Sequence, residues 1–102
     1  MVEYLDALHK YLPGVASSPT LTQGWAAAKV FEKALSATVG EPATAAQVLE
    51  GLWSFKNETI GGITPPLTFV RDQPAPLANC WFYVAVKDGK MTAPQGITPV
   101  CR

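Results

Sequence analysis

Cys80-Trp81-Phe82-Tyr83-Val84-Ala85-Val86-Lys87-Asp88-Gly89-Lys90 is the stretch that sets the fold class. Its first seven residues are rich in aromatic and β-branched side chains and predict a strand over residues 80–86. Asp88-Gly89 is a tight-turn pair, so residues 90–93 are expected to return as a short antiparallel partner. Trp81, Phe82 and Tyr83 are consecutive and face alternate sides of a sheet, which implies packing on both faces. Pro94 and Pro99 loosen the chain beyond the hairpin. Cys80 and Cys101 stand on either side of it, so a bridge between them is geometrically reasonable. It would stabilise by roughly 3 kcal/mol through the loop it closes. Two cysteines alone do not establish an oxidising compartment.

Toward the N-terminus, residues 71–76 carry two prolines and read as irregular, while residues 67–70 are short and β-prone. Residues 57–66 read as loop, because Gly61-Gly62 and Pro65-Pro66 exclude regular structure. Residues 44–55 predict a helix opened by a Thr44/Gln47 capping box, with Val48, Leu49 and Leu52 facing inward and Gly51 weakening it locally. A longer helix is expected from Pro19 to about Val39. Ser18 is its N-cap, Pro19 occupies the first helical position, and Gly40 then Pro42 end it. Its apolar stripe is Leu21, Trp25, Ala28, Phe31 (or its neighbour Ala27) and Leu35, and Lys29, Glu32 and Lys33 are expected to face solvent. The small residues Gly24, Ala26, Ala27 and Ala28 leave room for another backbone. Residues 2–12 predict a first helix with a Leu5, Leu8, Leu12 stripe flanked by Tyr4 and Tyr11, stopped by Pro13-Gly14. The order is three helices, one short strand and a C-terminal antiparallel β-hairpin, an α/β arrangement.

Over 102 residues, apolar types make up 48% and charged types 16%. A soluble domain carries about 25% charge, so some of this surface is expected to meet more protein. The net charge is zero and neither sign forms a block. That excludes a nucleic-acid footprint, which needs a clustered basic face, and equally an anionic membrane surface. No apolar run is long enough to span a bilayer. Met1-Val2-Glu3 leads directly into an amphipathic pattern, without the basic and apolar regions of a signal peptide.

Catalytic motifs are absent. Gly61-Gly62 lacks the Lys-Ser/Thr of a phosphate loop, and there is no nucleophile elbow or zinc-protease motif. His9, alone on an amphipathic helix, reads as a partly exposed structural residue, and with two cysteines it makes no zinc site. The carboxylates are scattered, with no pair set to share a proton. Non-enzymatic chemistry without cofactor or metal is therefore the expectation. Asn57-Glu58-Thr59 matches a glycosylation sequon, a triplet common by chance.

Five segments, in order, carry a resemblance. Tyr11-Leu12-Pro13-Gly14, the run from Gln23-Gly24-Trp25 through Ala34-Leu35, the helix over residues 46–52, Gly61-Gly62-Ile63-Thr64-Pro65-Pro66-Leu67-Thr68-Phe69 and Tyr83-Val84-Ala85-Val86-Lys87-Asp88-Gly89-Lys90 resemble the final portion of type I periplasmic solute-binding proteins. These are the receptors of branched-chain amino-acid ABC importers. The family builds two α/β lobes around a ligand cleft, in chains several times longer than this one. The resemblance implies a partial type I periplasmic-binding fold, with residues 1–102 a single partial domain from the C-terminal end of a two-lobed receptor. It implies non-catalytic capture of a branched-chain or related amino acid in the parent protein, and docking of that parent on a membrane permease. It implies a periplasmic or extracellular location, with or without a lipid anchor, the signal lying upstream of this sequence.

Carried over residue by residue, the cleft positions are Leu21, Thr22, Gln23 and Trp25. Trp25 replaces the family's more usual tyrosine, which puts a phenolic hydrogen bond in doubt and favours apolar stacking. The alternative for all four is packing at the start of the helix. A competing reading is an independent interaction domain that docks through the edge of its β-hairpin. A partial lobe predicts uncovered apolar faces and self-association of the isolated chain.

Overall fold

The computed structural model describes residues 1–36 and 43–102. Among them are three helices and two small antiparallel sheets, a small α/β protein. The helices are α1 (Val2–Tyr11), α2 (Pro19–Ser36) and α3 (Ala45–Trp53). The strands are β1 (Cys80–Trp81), β2 (Ala85–Lys87), β3 (Lys90–Thr92) and β4 (Val100–Cys101). Packing divides the chain into two compact units, Met1–Gly51 and Leu52–Arg102, with the division inside α3.

Local chemistry sets the helix starts. The Leu21 amide donates to Ser18 Oγ at 3.3 Å, the N-cap bond that Ser18-Pro19 predicts. In α3 the box is reciprocal: the Thr44 amide donates to Gln47 Oε1 at 2.9 Å and the Gln47 amide to Thr44 Oγ1 at 3.3 Å. The expected run of α2 to Val39, and its Gly40-Pro42 stop, lie outside the described residues.

The inward faces differ from the leucine and aromatic stripes. In α1 the buried pair is Tyr4 and Leu8, one helical turn apart, while Leu5 and Leu12 are exposed. Tyr4 wins because its ring packs on Trp25 and its hydroxyl pairs with Ser17 Oγ at 2.9 Å, so both ends of the side chain are satisfied. In α2 Phe31 is 52% exposed and Ala34 is fully buried. A Cβ added at Gly51 of α3 would fall on the Ala34 backbone, so this crossing of α2 and α3 tolerates only a methyl on one side and a hydrogen on the other. Of the face expected on α3, Leu49 is exposed, and Gly51 is the buried residue. Lys29, expected to face solvent, bridges α2 to α1 through Glu3 at 2.7 Å and also meets Glu32 at 2.8 Å.

In the second unit the β-prone residues 67–70 form no strand. They supply one bridge, Glu58 with Leu67, whose amides and carbonyls exchange bonds of 2.9 and 2.8 Å. The bridge closes a loop in which Ile60, Gly61 and Gly62 all take positive φ, as does Asn57 just before it.

The single strand expected over residues 80–86 is two short ones in different sheets: β1 pairs with β4 and β2 with β3. The registers explain the break. The hairpin pairs Ala85 with Thr92 and Lys87 with Lys90, turning on Asp88 (φ 52°) and Gly89 (φ 71°). Continued backward, that register would set Cys80 opposite Ile97. Cys80 instead faces Cys101, four residues further on. One ladder cannot hold both pairings, so the chain leaves the sheet at residues 82–84 and takes up the excess between β3 and β4, where Gly96 turns at φ 57°. The expected disulfide joins Cys80 to Cys101.

Among the described residues the buried hydrophobic side chains are Tyr4, Leu8, Ala34 and Phe55. Large apolar groups are left outside in both units, including Val2 at 73%, Val86 at 75% and Leu77 at 97% exposure.

Candidate functional site

The candidate site grows from the meeting of α1 and α2 in the first unit. Tyr4 and Leu8 face α2, and the α2 residues opposite them begin one turn after the Ser18 cap. Between the helices lies an open groove of about 400 Å³ with an almost wholly apolar lining. Its walls are Tyr4, Leu8 and Leu12 on one side and Leu21, Trp25 and Ala28 on the other. Gly24 lies along the α2 wall, and a Cβ placed there would meet nothing within 4 Å. The groove exists partly because this helix position carries no side chain.

Trp25 organises the groove. Its ring sits 5.8 Å from that of Tyr4, tilted by 58°, and Lys29 Nζ lies 5.6 Å from its centre. Lys29 is therefore shared between the indole face and two carboxylates. Hydrogen bonds that Lys29 donates to Glu3 and then to Glu32 hold its pKa above the ordinary lysine value of 10.5. Because the folded value is the higher one, this contribution is present at neutral pH and fades only as pH rises past the ordinary lysine range. The indole Nε1 is buried without a hydrogen-bond partner, a position that costs about 1–3 kcal/mol. That atom has no accessible surface, so the groove meets the carbon face of the ring and not its N–H.

Of the four cleft positions implied by the resemblance, Leu21 and Trp25 reach the groove. Thr22 does not line it; its hydroxyl donates back to the Ser18 carbonyl at 2.9 Å, the usual local bond of a threonine in a first turn. Gln23 is exposed, outside the lining. The residues that reasoning from the α2 segment alone misses are Tyr4 and Leu8. The signal was available in their spacing, four apart on one helical face with an aromatic first member.

The described residues hold no group suited to a metal ion. No three His, Cys, Asp or Glu side chains cluster, and His9 is exposed in the last turn of α1. No described helix is long and apolar enough to cross a membrane. The groove can take up apolar surface, and it offers almost no polar group for orientation.

Gly24→Ala tests the openness of this wall. In a free helix interior the change is favourable by about 1 kcal/mol, and here no atom opposes the added methyl. The variant is expected to raise the unfolding free energy of the first unit by that amount, read from helical amide exchange in urea. A loss of stability would mean that the groove is closed in solution.

No protein-family model matches the chain, and no curated protein and no solved structure is significantly similar to it.

Proposed function

We propose that this chain supplies the C-terminal part of an extracytoplasmic solute-binding receptor of the branched-chain amino-acid type, serving ligand capture for an ABC importer and no catalysis. The observation that carries the reading is the uncovered apolar surface. Few hydrophobic side chains are buried among the described residues, and so much exposed valine, leucine and aromatic surface suits a chain that leans on further protein. The order of the five resembling segments supports the same reading, and a Cys80–Cys101 disulfide suits an oxidising compartment. In the parent protein the solute and the membrane permease are the partners. Leu21 and Trp25 would present apolar surface toward the solute, while its charged head group is held by the other lobe. The isolated chain self-associates through its open apolar faces and binds no solute by itself.

Antiserum raised against residues 1–102 tests this in the source cells. The expected result is a band several times larger than 10.9 kDa, released with the extracytoplasmic fraction. A cytosolic species of 10.9 kDa, with nothing larger, would end the receptor reading. Calorimetry of the isolated chain with leucine, isoleucine and valine is expected to show no micromolar binding.

One observation favours the second reading, an interaction domain that uses its hairpin. The two-stranded β2–β3 sheet leaves an open edge on each strand, and its cross-strand pair Val86 and Met91 is 75% and 66% exposed. Such a domain would be found as the small species, bound to a protein through an added strand.

A further inference from the structure

We propose that the Cys80–Cys101 bond is a redox latch that docks the C-terminal segment, residues 93–102, onto the second unit. The inference stands whether or not the receptor reading holds. Few polar bonds hold the segment, and its apolar packing is slight: Ile97 reaches toward Gly62, and Pro99 and Val100 are half-buried. Its only regular structure is β4, two residues paired with the two residues of β1. Beyond that ladder the Arg102 amide donates to the Asn79 carbonyl at 2.9 Å, and Asn79 Nδ2 donates to the Arg102 carbonyl at 3.1 Å. These bonds mark residues 79 and 102 as a hydrogen-bonded pair. Cys80 and Cys101 are therefore a non-hydrogen-bonded pair, the site where facing side chains approach most closely, and their Cα atoms are 4.0 Å apart. The Arg102 guanidinium stands 5.6 Å from the centre of the Trp81 ring.

Between β3 and β4 the chain makes only local turns, Gly96 to Ala93 and Thr98 to Gln95, and residues 93–98 are exposed. A two-residue ladder cannot repay the entropy of ordering such a segment, since even a full isolated hairpin is marginal in water. The disulfide, with a sequence separation of 21, favours the closed arrangement by roughly a hundredfold. The hairpin β2–β3 lies inside the same loop, but its turn and three-pair register are local, so reduction removes no bond of its own ladder.

The release step is a thiol–disulfide exchange with a dithiol. One thiolate of the dithiol attacks Sγ of Cys101, the exposed partner, and the Cys80 thiolate leaves as a mixed disulfide forms. The second thiol of the dithiol then displaces the Cys101 thiolate. The dithiol leaves as a cyclic disulfide, and the protein gains two electrons and two protons as two thiols. Residues 93–102 are then free to leave, and Trp81 loses its cover.

Hydrogen exchange read by mass spectrometry on the full chain tests the latch. It is run oxidised, with dithiothreitol, after reoxidation, and on a Cys80→Ser/Cys101→Ser double variant. Exchange over residues 93–102 is expected to accelerate by roughly a hundredfold on reduction and in the variant, to recover on reoxidation, and to stay unchanged over residues 85–92. Unchanged exchange over residues 93–102 would show that strand pairing alone holds the segment and would overturn the proposal. A simultaneous loss of protection throughout the Leu52–Arg102 unit would overturn it as well, by making the bond a staple of the whole unit.

Discussion

Gly51→Ala unfolds the Met1–Gly51 unit, an expected result that runs against the ordinary ranking of helix residues. Gly51 sits inside α3, where alanine is normally better by about 1 kcal/mol. Its surroundings reverse the sign. An added Cβ would lie 2.6 Å from the carbonyl carbon and 2.9 Å from the Cα of Ala34, and nearer still to the carbonyl oxygen. These are backbone atoms of another helix. They cannot swing aside as a side chain would, so α2 and α3 must separate. Ala34 is fully buried, so it cannot back away into solvent. Overpacking a tight contact costs about 1–3 kcal/mol, and a clash with backbone belongs at the upper end. A unit of this size holds no more than about 3–5 kcal/mol in its core. The variant should therefore lose the exchange protection of α1 and α2 and its cooperative urea transition. Gly24→Ala in the same unit provides the opposite sign with the same chemistry. If Gly51→Ala is as stable as the parent, the two helices do not approach at this point.

That contrast shows what the sequence could reveal. Signals confined to a few neighbouring residues were legible: the Ser18 cap, the Thr44/Gln47 box and the Asp88-Gly89 turn all form as their chemistry dictates. Inward faces were less so. Hydrophobicity ranks Phe31 above Ala34 and Leu5 above Gly51, but which residue is buried depends on how near another backbone comes, and that contact joins residues far apart in the chain. The strand over residues 80–86 failed for a related reason. Its propensity is uniform, and its division follows from two incompatible registers, one set by the turn and the other by Cys101. At the groove, Leu21 and Trp25 belong to the apolar stripe read from the sequence, and the helical period brings both to one wall. Thr22 satisfies its hydroxyl on its own helix, a local option that motif transfer does not weigh.

Phe55→Ala carries the second large effect, in the Leu52–Arg102 unit. Phe55 is 4% exposed and is the buried hydrophobic side chain described there. Its amide closes a turn on the Leu52 carbonyl at 3.0 Å, which fixes where the ring points after α3 ends. The ring lies 6.0 Å from that of Phe69, tilted by 41°, so it ties the end of α3 to the far side of the loop bridged by Glu58 and Leu67. Removing a buried phenylalanine costs about 3–5 kcal/mol, in lost transfer energy and in the cavity left behind. That matches the whole core contribution available to so small a unit. The two-residue and three-residue ladders elsewhere in the unit supply hydrogen bonds worth about 1 kcal/mol each and bury little apolar surface. Phe55→Ala is therefore expected to abolish the thermal transition of this unit even with Cys80–Cys101 intact. Phe55→Leu, which keeps most of the volume, should cost about 1.5 kcal/mol or less. A Phe55→Ala protein that melts cooperatively within 1 kcal/mol of the parent would mean that the disulfide and the loop bonds, and not this ring, hold the unit together.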